Sequence, residues 1–129
     1  MNKGSSAKII LIVEDEFDNR EIMRMVVEDL LGYTAISVSD GESALQAISE
    51  RIPDLILMDL MMPVLDGFEV IKRIKSTPET ARIPVLAVSA LSRPIDRERA
   101  LATGADDYLG KPFDIEHLTS MIEHYVSSV

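Results

Sequence analysis

The sequence predicts an α/β protein built on a parallel sheet with helices on both faces. Two observations support this prediction. Five short apolar runs of strand length alternate along the chain with five amphipathic segments of helix length. The runs at 9–13 and 55–58 are apolar at every position, which is typical of strands buried on both faces. Strands of this kind are connected by right-handed helical crossovers.

The first half of the chain contains two strand–helix pairs. A strand over 8–13 precedes a helix over 18–31, and Gly32 follows at a position where a left-handed cap is common. The apolar stripe predicted for this helix consists of Ile22, Met25, Val26 and Leu30. A β-branched strand over 34–38 comes next, and residues 39–42, with capping-box spacing, open the second helix.

The second half continues the alternation. Pro53 ends the second helix, and a strand over 54–59 leads to a helix whose apolar positions are Phe68, Val70, Ile71 and Ile74. The remaining predicted elements are a strand over 85–89, a helix from Pro94 to about 103 that Gly104 caps, a strand over 106–110, and a helix that begins after Asp114.

Composition limits the class of protein. The 129 residues are 47% hydrophobic and 27% charged, which fits one globular domain over 8–129 behind a flexible leader over 1–7. No apolar stretch approaches the roughly 20 residues that cross a bilayer, and the absence of cysteine fits a cytoplasmic location. The net charge of −9 disfavours direct binding to nucleic acid or to anionic membranes.

Charged side chains stand at the ends of three predicted strands. Glu14 and Asp15 follow the first strand, Asp59 ends the third, and Lys111 follows the fifth. The carboxyl ends of parallel strands share one edge of the sheet, where ligands bind in open α/β folds. Three carboxylates repel one another unless a cation joins them, so the pattern predicts Mg²⁺ and phosphate chemistry.

Within such a site, an aspartate can act as the nucleophile toward a phosphoryl group. Lys111 and the hydroxyl of Ser89, which ends the fourth predicted strand, could contact the phosphoryl oxygens. Each residue also has a simpler interpretation: strand-end aspartates often cap helices, Lys111 could be a loop charge, and Tyr108 a packing residue. Their joint occurrence at four strand ends favours the functional interpretation.

Four stretches resemble the receiver domains of two-component response regulators. They are LIVEDE at 11–16, PDLILMDLMMPVLDG at 53–67, IPVLAVSA at 83–90 and GADDYLGKPF at 104–113. The resemblance extends over nearly the whole chain. It implies a flavodoxin-like fold with strand order 2-1-3-4-5, in which the first and third strands meet at the switch point. Because only three residues follow the last helix, we expect a stand-alone, single-domain regulator.

The resemblance also implies roles for individual residues. Asp59 would accept a phosphoryl group from a sensor histidine kinase or a His phosphotransfer protein. Magnesium would be held by Asp15 and Asp59, by Glu14 mainly through water, and by the backbone carbonyl of Met61. Lys111 and Ser89 would bind the phosphoryl group, and Tyr108 would follow Ser89 as a switch. The Lys111-Pro112 peptide bond would be cis.

The sequence leaves the downstream protein target open. The fourth helix, fifth strand and fifth helix would form the surface that switches, and the protein would be a monomer or a phosphorylation-dependent dimer. An alternative function is a receiver-like interaction module that never uses phosphorylation. A phosphatase with an aspartyl nucleophile would want a second acid two residues after Asp59, where Met61 stands.

Overall fold

The structure, a computed structural model, describes residues 8–62, 65–91 and 93–127. The predicted leader over 1–7 lies outside these residues. The described strands are β1 (Ile9–Val13), β2 (Thr34–Val38), β3 (Leu55–Asp59), β4 (Val85–Ser89) and β5 (Asp107–Gly110). The helices are α1 (Phe17–Met25, extended by a π-helical turn over Val26–Leu30), α2 (Gly41–Glu50), α3 (Gly67–Ser76), α4 (Pro94–Thr103) and α5 (Ile115–Ser127).

All five strands are parallel and form one sheet in the order β2-β1-β3-β4-β5. The predicted fold class and strand order are therefore confirmed. After β1 the chain adds β2 on one side and then crosses over to place β3 on the other side. This reversal puts a crevice between the carboxyl ends of β1 and β3, where α/β sheets of this type bind their ligands.

Helices cover the sheet on both faces and divide the core into two apolar layers. One layer joins the sheet to α1 and α5, with Met23, Val27, Leu118 and Ile122 among its buried side chains. The other layer joins the sheet to α2, α3 and α4. Every residue of β1, β3 and β4 is buried, as expected for central strands covered on both faces. None of the described helices has the length and apolar character that crossing a bilayer requires.

The apolar stripe predicted for α1 is partly wrong. Ile22 is 40% and Leu30 56% exposed, whereas Met23, Val26 and Val27 are buried. The π-helical turn explains the end of the stripe, because the amide of Leu31 donates to the carbonyl of Val26, five residues earlier, at 3.1 Å. The extra residue in this turn brings Leu31, rather than Leu30, against the core.

The start of α2 also differs from the sequence prediction. The N-cap is Asp40, not the Ser39 that a capping box over 39–42 requires, and its Oδ1 accepts a hydrogen bond from the amide of Ser43 at 2.7 Å. A cap residue accepts from the second or third amide of its helix, and both Ser39 and Asp40 have suitable side chains. The local sequence therefore located the helix start only to within one residue. The two glycines expected to follow helices, Gly32 and Gly104, both have positive φ.

Candidate functional site

Three carboxylates converge at the carboxyl ends of β1 and β3. Glu14 and Asp15 directly follow β1, and Asp59 is the last residue of β3. One carboxylate oxygen from each of the three residues lies within 4.8 Å of the others. Glu14 and Asp59 are buried, while Asp15 is exposed and faces solvent at the mouth of the site. The structure thus brings together the three acids that the strand-end pattern predicted would meet.

Lys111 adds a positive charge to this cluster from the residue after β5. Its Nζ lies 2.7 Å from Oε1 of Glu14 and 3.7 Å from Oδ2 of Asp59. The backbone amide of Lys111 donates to the carbonyl of Ser89 at 2.8 Å, which fixes the lysine to the end of β4. One ammonium group faces three carboxylates, so the cluster keeps an excess of negative charge in a largely buried place.

This excess has a direct effect on Asp59. Burial is the largest cause, and the negative charge of Glu14 the second, of a pKa for Asp59 that is raised to about 7. Lys111 and the amide of Met61, which donates to Oδ1 of Asp59 at 3.2 Å, act in the opposite direction without cancelling the shift. A carboxylate held in this way gains free energy when a cation enters the site, because the cation removes the repulsion from the neighbouring acids.

Two residues that support the site were missed by the sequence reasoning. Nη1 of Arg20, on α1, donates to the carbonyl of Glu14 at 2.9 Å and to that of Asp15 at 3.5 Å, and so fixes the loop after β1.

The second residue is Gly67, which begins α3. A Cβ at this position would lie 2.2 Å from the carbonyl oxygen of Asp59. Only glycine allows α3 to start this close to the end of β3. Neither role leaves a signal in local sequence, because both depend on contacts between separate elements.

Ser89 and Tyr108 lie on the neighbouring strands. Ser89 is fully buried at the end of β4, and its Oγ accepts a hydrogen bond from the amide of Leu91 at 3.1 Å. The hydroxyl of Tyr108, on β5, is buried and has no hydrogen-bond partner among the described residues. Burial raises the pKa of this hydroxyl. The side chain of Ser89 lies close enough to lower this pKa in turn, although the two hydroxyl groups do not meet the geometry of a hydrogen bond.

The remaining predicted site features are two backbone elements. The Lys111–Pro112 peptide bond is cis. The backbone carbonyl of Met61 as a magnesium ligand remains a prediction, and Met61 lies two residues after Asp59 and is 55% exposed. The arrangement as a whole offers oxygen ligands for a hard divalent cation, a carboxylate nucleophile, and an ammonium and a hydroxyl group near the same strand ends. These are the components that phosphoryl transfer to a carboxylate requires.

Comparison with known proteins identifies the class to which this fold and site belong. The profile of the response regulator receiver domain family matches residues 10–123, and the chain belongs to this family. The phosphate regulon transcriptional regulatory protein PhoB of Escherichia coli is 41% identical over 117 residues, which are 91% of this chain and 51% of PhoB. The chain thus spans about half the length of that relative.

Two solved structures extend the comparison. The receiver domain of a signal transduction histidine kinase from Syntrophus aciditrophicus is 36% identical with a TM-score of 0.88, covering 95% of this chain and 92% of that one. The receiver domain of the sensor histidine kinase PA1611 from Pseudomonas aeruginosa is 34% identical with a TM-score of 0.86, covering 95% and 99%. That structure has a magnesium ion coordinated in its active-site cleft.

Proposed function

We propose that this receiver domain is a phosphorylation-operated switch in which Asp59 accepts a phosphoryl group from a sensor histidine kinase or a His phosphotransfer protein. The observation that supports this most strongly is the convergence of Glu14, Asp15 and Asp59 within 4.8 Å, with Lys111 beside them. Repulsion within such a cluster is costly to the fold unless a cation joins it. The magnesium ion in the related PA1611 receiver domain is consistent with this interpretation.

In the proposed reaction, an oxygen of Asp59 attacks phosphorus while the bond from phosphorus to the imidazole nitrogen of the donor breaks, and the product is an acyl phosphate. A bound magnesium ion would neutralise charge that develops on the phosphoryl oxygens. Asp15 and Asp59 would hold this ion directly, Glu14 mainly through water, and Met61 through its backbone carbonyl. Lys111 would leave Glu14 to contact a phosphoryl oxygen.

The signal would leave the site through Ser89 and Tyr108. The phosphoryl group adds close to two negative charges and three strong acceptors, which would attract the hydroxyl of Ser89. Ser89 would then release the amide of Leu91, to which it is bonded at 3.1 Å. Tyr108 would adjust to the new position of Ser89, and the surface formed by α4, β5 and α5 would present a different shape to a downstream protein. Such a change is a shift between two states that one local charge controls.

The protein would act in the cytoplasm as a switch and not as an enzyme with an external substrate. Incubation with acetyl phosphate and Mg²⁺ should add one acid-stable, base-labile phosphoryl group, measured by intact mass. EDTA should prevent the addition, and Asp59→Asn should abolish it. Labelling that survives Asp59→Asn would refute the assignment. A folded wild-type protein that is never labelled would favour the alternative, an interaction module that does not use phosphorylation.

The side chains beside the acceptor bear on how long the phosphoryl group would persist. Met61 and Leu91, two residues after Asp59 and Ser89, are both apolar and line the same cavity near the carboxyl ends of β3 and β4. Neither can position a water molecule by hydrogen bonding, so we infer that these positions do not accelerate dephosphorylation. Decay of the acyl phosphate should be faster in Met61→Asn than in the wild type, and equal or slower decay in the variant would contradict this inference.

A further inference from the structure

We propose that a groove beside the acidic site binds a segment of a partner protein in which a carboxylate stands next to an apolar side chain. The groove lies between residues 60–62 and Asp66, which follow β3, and Arg99 on α4, and it has a volume of about 410 Å³. We call it the α3–α4 groove. The lining residues that matter here are Met61, Met62, Asp66, Phe68, Leu91 and Arg99.

The apolar part of the groove suits an apolar side chain. Met62 and Phe68 are each only 7% exposed and form its floor, while Met61 and Leu91 form its rim. Met61 is 55% exposed, so a large flexible apolar side chain stands in water at the edge of an existing cavity. Methionine adapts its shape to different partners, and covering it removes apolar surface from water.

The charged part of the groove selects a carboxylate. The guanidinium of Arg99 lies 3.8 Å from the ring centroid of Phe68, and neither Arg99 nor Lys72 forms a salt bridge with a carboxylate among the described residues. Arg99 also lines an adjoining cavity of about 240 Å³, and Lys72 lies in that second cavity. A guanidinium that stacks on an aromatic ring keeps its N–H groups available for bidentate bonding to a carboxylate.

The acids that line the groove and the adjoining cavity, Asp66 and Glu69, each accept a hydrogen bond from a group other than Arg99 or Lys72. Oδ1 of Asp66 caps α3 by accepting from the amide of Glu69 at 3.0 Å, and Oε2 of Glu69 pairs with Nε of Arg73 at 3.0 Å. The groove and the adjoining cavity together therefore offer two cations, Arg99 and Lys72, on a chain whose net charge is −9. Neither cation forms a salt bridge among the described residues. An acidic partner would be repelled by most of the surface and attracted here, which fixes where it docks.

The groove is connected to the proposed phosphorylation site, and this part of the inference rests on the proposed function. The amide of Met61 donates to Oδ1 of Asp59 at 3.2 Å, and the amide of Leu91 donates to Oγ of Ser89 at 3.1 Å. Both rim residues are thus bonded to groups that phosphorylation would reorganise. Binding in the groove and phosphorylation should influence each other reciprocally.

The probe is a short capped peptide of alternating glutamate and leucine, titrated into the ¹⁵N-labelled full chain. Amide shifts should change first around Met61, Phe68, Leu91 and Arg99. Arg99→Glu should weaken binding at least about tenfold, since reversing one partner of a charge pair replaces attraction by repulsion. The matched control is Arg82→Glu, an exposed arginine before the amino end of β4, at the opposite edge of the sheet from Met61 and Leu91. For this variant less than about a twofold change is expected.

Several results would overturn the docking site. One is a lysine–leucine peptide that binds as tightly as the glutamate–leucine peptide, and another is no binding of the glutamate–leucine peptide at all. A third is a set of amide shifts centred on the apolar cavity between α2 and α3 around Leu45 and Ile52. The fourth is an equal loss of peptide affinity in Arg99→Glu and Arg82→Glu. If the amide spectrum shows that Arg99→Glu is unfolded, Lys72→Glu takes its place with the same expectation. Repeating the titration with beryllofluoride and Mg²⁺ should change the affinity several-fold, and an unchanged affinity would refute the coupling. Acetyl phosphate labelling tests the proposed function separately.

Discussion

The two edges of the sheet use the same residue types for opposite purposes. At the amino edge, Nζ of Lys75 donates to Oδ2 of Asp106 at 3.0 Å and to the carbonyls of Ala81 and Ile83 at 3.2 and 2.7 Å. Oδ2 of Asp106 also accepts from the amide of Val85 at 2.8 Å. One lysine and one aspartate thus satisfy each other and join the α3–β4 connection to the α4–β5 connection.

At the carboxyl edge, the charges do not balance. Lys111 faces Glu14 and Asp59, and Asp15 adds a third carboxylate. Burial and the neighbouring negative charge raise the pKa of Asp59 to about 7, whereas Lys75 and Asp106 form a closed pair. The amino edge is therefore arranged for stability, while the carboxyl edge holds an excess of negative charge that a bound cation would relieve.

The largest effect we expect comes from a glycine behind the site. Gly67→Ala should destabilise the fold by about 3 kcal/mol or more, because its Cβ would meet the backbone of Asp59 and Leu60, which cannot move independently of β3. Gly110→Ala is the matched control at the same edge, since a Cβ there meets nothing within 4 Å. Urea unfolding of both variants would measure the difference, and similar stabilities would show that α3 is not tightly fixed against Asp59.

A second prediction concerns magnesium. Asp15→Asn should weaken Mg²⁺ binding about tenfold or more, because a hard cation loses a charged oxygen ligand. Glu16→Gln is the control, since Glu16 is exposed, only one residue away, and outside the group of three acids. Isothermal titration or amide shifts would measure both affinities. Equal weakening in the two variants would indicate a general effect of charge and not a site at the carboxyl edge.

A third prediction tests the amino edge. Lys75→Met should lower the free energy of unfolding by about 1–2 kcal/mol, because the carbonyls of Ala81 and Ile83 and the carboxylate of Asp106 lose a shared donor. Labelling by acetyl phosphate should remain at the wild-type rate in the folded variant. A variant of unchanged stability, or one that is stable but labelled slowly, would remove the contrast between the two edges.

The sequence predicted the parts of this molecule that depend on local patterns. Apolar runs located β2 and β4 to the residue, and the strand-end charges identified Asp15, Asp59 and Lys111 as neighbours before the fold was known. This worked because a parallel sheet brings the ends of distant strands to one edge.

The features that the sequence did not predict are produced by packing between elements. The π-helical turn of α1 shifts the buried stripe by one residue, and Arg20 holds the loop after β1 through backbone carbonyls that any sequence would offer. The Lys75–Asp106 pair joins residues 31 positions apart. No spacing rule distinguishes such residues from ordinary surface charges, and only the folded arrangement reveals them.

The most direct test of the contrast applies one substitution at each edge and measures unfolding against pH in EDTA. The ordinary pKa of an aspartate is about 3.9, and that of Asp59 in the folded protein is about 7. At pH values between these two, folded Asp59 holds a proton that the unfolded chain has released. Wild-type stability should therefore fall as the pH rises through this window.

Asp59→Asn lacks this titration. It should be more stable than the wild type by about 1–2 kcal/mol at pH 8, and this gain should disappear toward pH 4. The gain is less than the full shift because water and salt reach the cluster at its exposed side, where Asp15 lies. It should also accept no phosphoryl group. Asp106→Asn should instead be less stable by about 1 kcal/mol at pH 8 and be labelled normally. An Asp59→Asn protein that is no more stable than the wild type at pH 8, or an Asp106→Asn protein that gains stability, would contradict the account.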